Sequence, residues 1–183
     1  MTETTRHSIS VLVDNEAGVL SQVSRMFSRK GYNIESLAVG TTADPSVSRM
    51  TIEVITDERG IELLCNQLCK FIYVHSVKRL NADTCIRREL VLIKVKADTP
   101  ESSNRIIQIA NIFRASVIDV SKETLTVAII GEESKTEAII SLMEEFGILE
   151  LVRTGTVALE RGKNTIYEAT KERGEFDLGK NVL

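Results

Sequence analysis

Residues 6–14 alternate, with Ile9, Val11 and Val13 on one side and Ser8 and Ser10 on the other, the period of a strand with one face in a core. Asp14-Asn15-Glu16 interrupts the alternation as a turn and cap cluster. Over residues 17–30 the period lengthens, placing Leu20, Val23 and Phe27 at helical spacing. Gly31 follows Arg29 and Lys30, where a helix C-cap glycine belongs. Residues 33–41 read as a strand with Leu37 and Val39 prominent, and Ala43-Asp44-Pro45-Ser46 as a turn. Residues 49–56 alternate again: Met50, Ile52 and Val54 inward, Arg49, Thr51 and Glu53 outward. Residues 57–71 carry Ile61, Leu64 and Leu68 on a helical stripe, and residues 72–80 read as a closing strand. The order is βαββαβ.

The polar stretch 81–88 suits a linker, and the order then repeats. Residues 90–97 form a strand in which Ile93 and Val95 alternate with Lys94 and Lys96. Pro100 marks a helix start, and Ile106, Ile109, Ala110 and Phe113 follow at helical intervals. Residues 116–121 and 124–131 predict a hairpin around Lys122-Glu123. Ile139, Leu142, Met143 and Phe146 give a second helical stripe, and residues 148–159 the last strand. The repeat lies in pattern rather than letters. The expected domains are residues 1–80, a linker 81–88, a second unit 89–161, and a charged tail 162–183 with a candidate helical turn at Thr170-Lys171-Glu172-Arg173-Gly174.

The predicted fold class is α+β: two ferredoxin-like βαββαβ units, each an antiparallel sheet with two helices on one face. Right-handed crossovers order the strands 4-1-3-2 in each unit. The second strand is then an edge with unpaired backbone groups. Pairing residues 33–41 with the same strand of a second copy is the economical way to cover it.

Composition narrows the function. Lys and Arg total 23 against 26 Asp and Glu, so a generally basic nucleic-acid binder is excluded. There is no Trp, and neither of the two central strands of the first unit holds an aromatic, so base stacking has no platform. No apolar run reaches the length of a membrane span, and the opening Met1-Thr2-Glu3-Thr4 has no apolar signal core. Three cysteines, an odd count, point to free thiols in a reducing, cytoplasmic compartment; an organelle stroma fits equally if a transit peptide was removed.

Catalytic chemistry finds little support. Cys65 and Cys69 stand at i, i+4, but only His7 and His75 are on hand to complete a metal site; the pair reads better as small apolar residues on a half-buried helix. The two histidines form no evident nucleophile–base pair, and no glycine-rich phosphate loop occurs. Glu132-Glu133 and Glu144-Glu145 read as solvated helix faces. We therefore expect no catalytic residues, no metal and no cofactor in this chain.

One segment asks for more. Gly18 falls in the first turn of the first helix, where glycine weakens the helix by about 1 kcal/mol relative to Ala. There it lets another group approach the backbone closely. The N–H groups of Gly18, Val19 and Leu20 are donors at the positive end of the helix dipole, suited to one carboxylate. Asn15 either caps the helix or meets a ligand's polar head. If two copies pair through their edge strands, Asn33 and Ile34 of one face the loop 15–20 of the other. Such a pocket takes a carboxylate, an ammonium and a small apolar side chain, which together describe an amino acid.

These residues resemble a known family. The run from Ser10 to Leu20, the run Arg29-Lys30-Gly31-Tyr32-Asn33-Ile34-Glu35-Ser36-Leu37 and Ser48-Arg49-Met50-Thr51-Ile52 resemble the ACT domain of the acetolactate (acetohydroxyacid) synthase small subunit. Arg88-Glu89-Leu90-Val91-Leu92-Ile93-Lys94-Val95 and Arg153-Thr154-Gly155 extend the resemblance to residues 5–162. It implies a non-catalytic regulatory subunit in branched-chain amino-acid biosynthesis, homodimeric through its ACT domains. Its partner would be a separate large catalytic subunit carrying thiamine diphosphate, magnesium and FAD. It also implies feedback by valine, or by leucine or isoleucine, bound at the ACT dimer interface by Asn15, Gly18, Val19 and Leu20 of one chain and Asn33 and Ile34 of the other. Gly40 would widen that pocket. The rival readings are a free-standing ACT-type amino-acid sensor and an assembly scaffold without feedback.

Overall fold

The first alternating segment becomes β1 (Thr5–Asp14), followed by α1 (Val19–Arg29), β2 (Ser36–Thr41), β3 (Val47–Thr56), α2 (Glu58–Leu68) and β4 (Val74–Leu80). This is the computed structural model of the chain, and residues 4–166 are described. They fall into two units, one comprising Met1–Ile86 with the segment from Ala158 onward, the other Arg87–Val157. In the first unit the sheet order is β2-β3-β1-β4, the expected 4-1-3-2 arrangement. β1 pairs antiparallel with β3, setting Ile9 opposite Ile52 and Val11 opposite Met50. Those side chains meet Val19, Val23 and Phe27 of α1 and Ile61, Leu64 and Leu68 of α2 in one buried cluster. Each large aliphatic or aromatic side chain buried there contributes about 1.5–3 kcal/mol.

Two details correct the periodicity reading. Leu20 is 43% exposed; Val19, Val23, Met26 and Phe27 are the buried residues of α1. β2 begins at Ser36, so Asn33 and Ile34 lie in the loop ahead of it, and Glu35 makes the first backbone contact, N–H to the Glu53 carbonyl at 2.9 Å.

The helix-free face of this sheet is not a solvated one. Ser8, Ser10, Thr51 and Glu53 are all buried, although alternation alone marks them as outward. Glu53 accepts a hydrogen bond from Ser8 Oγ at 3.1 Å and faces Arg6 at 3.5 Å. Residues 158–166 come back to this unit. The Arg49 guanidinium donates to the Ala158 carbonyl at 2.9 Å, Ser76 Oγ donates to the Ile166 carbonyl at 2.9 Å, and Lys78 pairs with Glu160. Ile166 is itself buried. The start of the charged tail expected from residue 162 is thus docked through Ile166; residues 167–183, with the candidate turn at Thr170, lie outside the described residues.

The second unit holds β5 (Cys85–Lys96), α3 (Pro100–Ile112), β6 (Ser116–Val120), β7 (Thr124–Gly131), α4 (Glu133–Met143) and β8 (Ile148–Arg153), with sheet order β6-β7-β5-β8. β5 starts inside the stretch read as a linker, because Cys85 is already a buried strand residue. Thr99 caps α3 by accepting from the Ser102 N–H at 3.1 Å, and Ser102 Oγ accepts from the Thr99 N–H at 3.2 Å, with Pro100 at the first helical position. Val91, Ile93 and Val95 pack against Ile106, Ala110, Ile139 and Met143. Leu142 is exposed, so the α4 stripe runs through Thr136, Ile139, Ile140 and Met143 instead. The single closing strand expected over 148–159 is two, β8 and β9 (Val157–Glu160), parted at Gly155, whose φ of 78° no extended strand tolerates. β9 pairs with β5. Among the described residues no helix is long and apolar enough to cross a membrane.

Packing between the α2 start and its neighbours is tight. A Cβ on Gly60 would stand 2.0 Å from Thr56 Oγ1 and 3.0 Å from both Asp57 Oδ1 and the Tyr32 hydroxyl, while the Gly60 N–H caps onto Asp57 at 2.7 Å. Gly60→Ala should therefore lower stability by about 2 kcal/mol, as overpacking does, in a denaturant titration of the full chain. A neutral or stabilising result would show that the α2 start can shift at no cost.

Candidate functional site

The turn from β1 into α1 is held from outside rather than by its own cap. Asn15 donates from its backbone N–H to the Ser46 carbonyl at 2.7 Å. Its side-chain Nδ2 donates to the Pro45 carbonyl at 2.9 Å, and its Oδ1 accepts from Ser48 Oγ at 3.0 Å. Each end of the amide is anchored, one to the β2–β3 turn and one to the start of β3, so Asn15 does not cap α1, and one Nδ2 hydrogen has no acceptor among the described residues. Ser46 in turn donates twice to Asp44, which holds the Asp44 carboxyl below its usual range. Asp14 closes the same end of β1, its N–H on the Tyr73 carbonyl at 2.9 Å and its carboxylate 2.6 Å from His75 Nε2. Pro45, Ser48 and His75 escaped sequence reasoning because they reach this loop only through strand pairing.

Gly18 is the residue at the helix junction, but not inside the first turn. It is the N-cap of α1, left-handed at φ 89° and ψ −14°, and no side chain caps the helix. Glycine stands here because that conformation is costly for L residues. The space around it is open, with nothing within 4 Å of a Cβ position. The Val19 N–H bends back to the Glu16 carbonyl at a long 3.4 Å, so it is not the free donor that position alone suggests. Gly18 and Leu20 N–H have no acceptor among the described residues, and both residues are exposed. α1 has no acidic residue in its first turn, so the positive end of its dipole has no carboxylate of its own there.

Asn33 is exposed and donates to Glu35 Oε1 at 2.7 Å. Ile34 is half-buried and packs against the core. Both precede β2, the exposed edge of the first sheet, which ends in Val39, Gly40 and Thr41, all exposed. The structure thus gives one copy of the loop 15–20 and one edge with its preceding loop.

The histidines and thiols have plain occupations. His7 is buried; its Nε2 is 3.1 Å from the Thr56 carbonyl and its Nδ1 3.1 Å from an Arg79 Nη, which assigns the proton to Nε2. Arg79 also forks onto Glu58 and holds that carboxyl below its usual range. Cys65 and Cys69 form no disulfide among the described residues and are half-buried against the core. Burial, reinforced by Cys69, pushes the Cys65 thiol up to about 11. Among the described residues no cluster of three His, Cys, Asp or Glu side chains could hold a metal.

A sheet of order 4-1-3-2 with helices on one face is the ferredoxin-like arrangement, and the glycine at the β1–α1 junction and the open second-strand edge fit its ACT class. The comparisons agree. Residues 9–76 match the family "AHAS small subunit-like ACT domain", and residues 88–162 match "Small subunit of acetolactate synthase". The acetolactate synthase small subunit of Mycobacterium leprae is 48% identical over 160 residues, 87% of this chain and 94% of that one. The probable acetolactate synthase small subunit of Archaeoglobus fulgidus is 45% identical over 157 residues, 86% and 98% of the two chains. The crystal structure of the small subunit from Thermotoga maritima superposes with a TM-score of 0.82 at 38% identity, covering 87% of this chain and 99% of that one. The chain belongs to the acetolactate synthase small-subunit family.

Two outcomes test the local physics. Gly18→Ala should cost about 1 kcal/mol of stability through backbone strain alone, since a methyl group meets nothing there; an unchanged denaturation midpoint would mean the turn relaxes. With its thiol raised from 9.0 to about 11, Cys65 carries about 100-fold less thiolate at pH 8 than an unshifted thiol. Site-resolved alkylation by mass spectrometry should find it correspondingly slow at pH 8 and accelerating as pH rises past 9.

Proposed function

We propose that this chain is the non-catalytic regulatory subunit of an acetolactate synthase in branched-chain amino-acid biosynthesis. On this reading it activates a large catalytic subunit, which carries the thiamine diphosphate, magnesium and FAD. It makes that subunit sensitive to valine, or to leucine or isoleucine, and works as a homodimer paired through its ACT domains. Family membership over nearly the whole chain is the observation that carries the reading.

The site itself supports an amino-acid effector. Exposed Gly18 and Leu20 N–H donors at the positive end of α1 suit a carboxylate. Leu20 offers apolar surface beside them. Pairing of β2 edges between two copies brings Asn33 and Ile34 of one toward Asn15, Gly18, Val19 and Leu20 of the other. Asn33 and Asn15 each have one amide hydrogen engaged among the described residues and one to spare, and Asn15 in addition holds the turn in shape. An effector shared by two chains biases any equilibrium between assemblies that hold the site closed and open.

Calorimetric titration of the full chain with valine, leucine and isoleucine tests this. Saturable binding by one of them is expected, abolished in Gly18→Asp and kept within a few-fold in Gly18→Ala. Equal loss in both variants would assign the effect to backbone strain and remove the anion site. Asn33→Ala should weaken binding without moving the melting temperature, because Asn33 is exposed and bonded only to Glu35; a parallel fall in both would make Asn33 structural.

A further inference from the structure

On the outer surface of the first unit a groove of about 310 Å³ runs between α1 and α2. Its apolar part is Met26 and Phe71, and Gln67 lines the α2 side. Arg25, Arg29 and Lys30 supply three cations, all exposed. Among the described residues no carboxylate pairs with any of the three, although Arg6, Arg79, Arg88, Lys94, Arg105 and Arg153 all have carboxylate partners.

The sequence makes this concentration of charge pointed. α1 contains no Asp or Glu, in a chain whose net charge is −3. Arg29 and Lys30 sit at the C-terminal end of α1, where the dipole favours cations. That accounts for two of them. Arg25 is one turn earlier and stands at i, i+4 to Arg29, a like-charge spacing that costs an isolated helix a few tenths of a kcal/mol. Among the described residues no neighbour neutralises that repulsion.

We infer that this groove is a docking site for the large catalytic subunit, engaged by an acidic segment of that subunit with an apolar residue seated on Met26 and Phe71. The inference rests on the proposed function for the existence of that partner. Charge complementarity selects the segment: three unneutralised cations around an apolar floor fit carboxylates flanking one apolar anchor. The groove is lined from the helical layer, and no residue of the β2 edge lines it.

The experiment measures binding of the purified full-length chain to its large subunit at low and high salt, alongside valine titration of the same preparations. The R25E/R29E double variant should lose about 10-fold or more in affinity and show a flatter salt dependence, while still binding valine. K122E, a charge reversal on the exposed hairpin of the second unit, should bind like the parent. R25Q/R29Q keeps the helix chemistry mild and should fall between the parent and R25E/R29E, which excludes misfolding as the cause. Affinity within twofold of the parent in both groove variants overturns the proposal. That holds also if inorganic phosphate raises the melting temperature of the parent but not of R25E/R29E, since the groove would then be a small-anion site. A parent chain that fails to associate with the large subunit overturns the functional reading itself, and the groove assignment with it.

Discussion

β1 is buried on both of its faces, and the rest of the first unit is arranged around that fact. Ile9, Val11 and Val13 enter the apolar layer beneath α1 and α2, while Ser8 and Ser10 on the other face are equally withdrawn from water. A strand closed on one face only would carry its outer serines at no cost. Closed on both, it needs partners for its polar groups, because an unsatisfied buried polar group costs about 1–3 kcal/mol. Ser8 finds Glu53, and Glu53 also faces Arg6, whereas Ser10 Oγ has no hydrogen-bond partner among the described residues and bears that cost. The neighbouring Arg49, Ser76 and Lys78 are met by residues 158–166, whose carbonyls and Glu160 supply acceptors. The returning segment is therefore part of how the first unit closes its sheet, although the chain forms a different unit, Arg87–Val157, in between.

With β1 fixed, its C-terminal end becomes a rigid mount for the turn into α1. Asp14 is tied to Tyr73 and His75, and Asn15 to Pro45, Ser46 and Ser48. These contacts come from β4 and from the β2–β3 turn, so both sides of the sheet set the position of Gly18. The left-handed glycine then turns the chain so that the Gly18 and Leu20 N–H groups are left without an acceptor among the described residues. Rigid anchoring of the turn with unspent backbone donors is what a binding site needs and what a purely structural turn does not.

Much of this was legible in the residues. The two alternation periods gave both βαββαβ units, and chirality gave both strand orders. The loop 15–20 stood out because Gly18 opposed local helix propensity, and a local conflict is a pointer to function. Its reason was misjudged by one residue: Gly18 precedes the helix instead of weakening it. Leu20 and Leu142 were misplaced for a common cause, since a helical stripe read at one residue per turn cannot separate neighbours on its margin. The buried serines and Glu53 were unreadable in principle, because only the return of residues 158–166 converts an outward face into an inner one. The engagement of Asn15 depends likewise on a partner thirty-three residues away.

The division of labour at the candidate site follows from what each kind of group can do. Backbone N–H groups at a helix start recognise a carboxylate whatever side chain accompanies it, so they fix the class of ligand and leave its identity open. On the proposed reading identity would come from the apolar surroundings, Leu20, Ile34 and the edge at Gly40, and one methylene in such a pocket is worth only about 1–3 kcal/mol. A site built this way discriminates modestly among branched side chains but firmly against ligands without a carboxylate. Because half of those surroundings would come from a second chain, affinity and pairing become one linked equilibrium. The ligand then gains leverage over assembly only to the extent that the two pairings differ in how well they hold it.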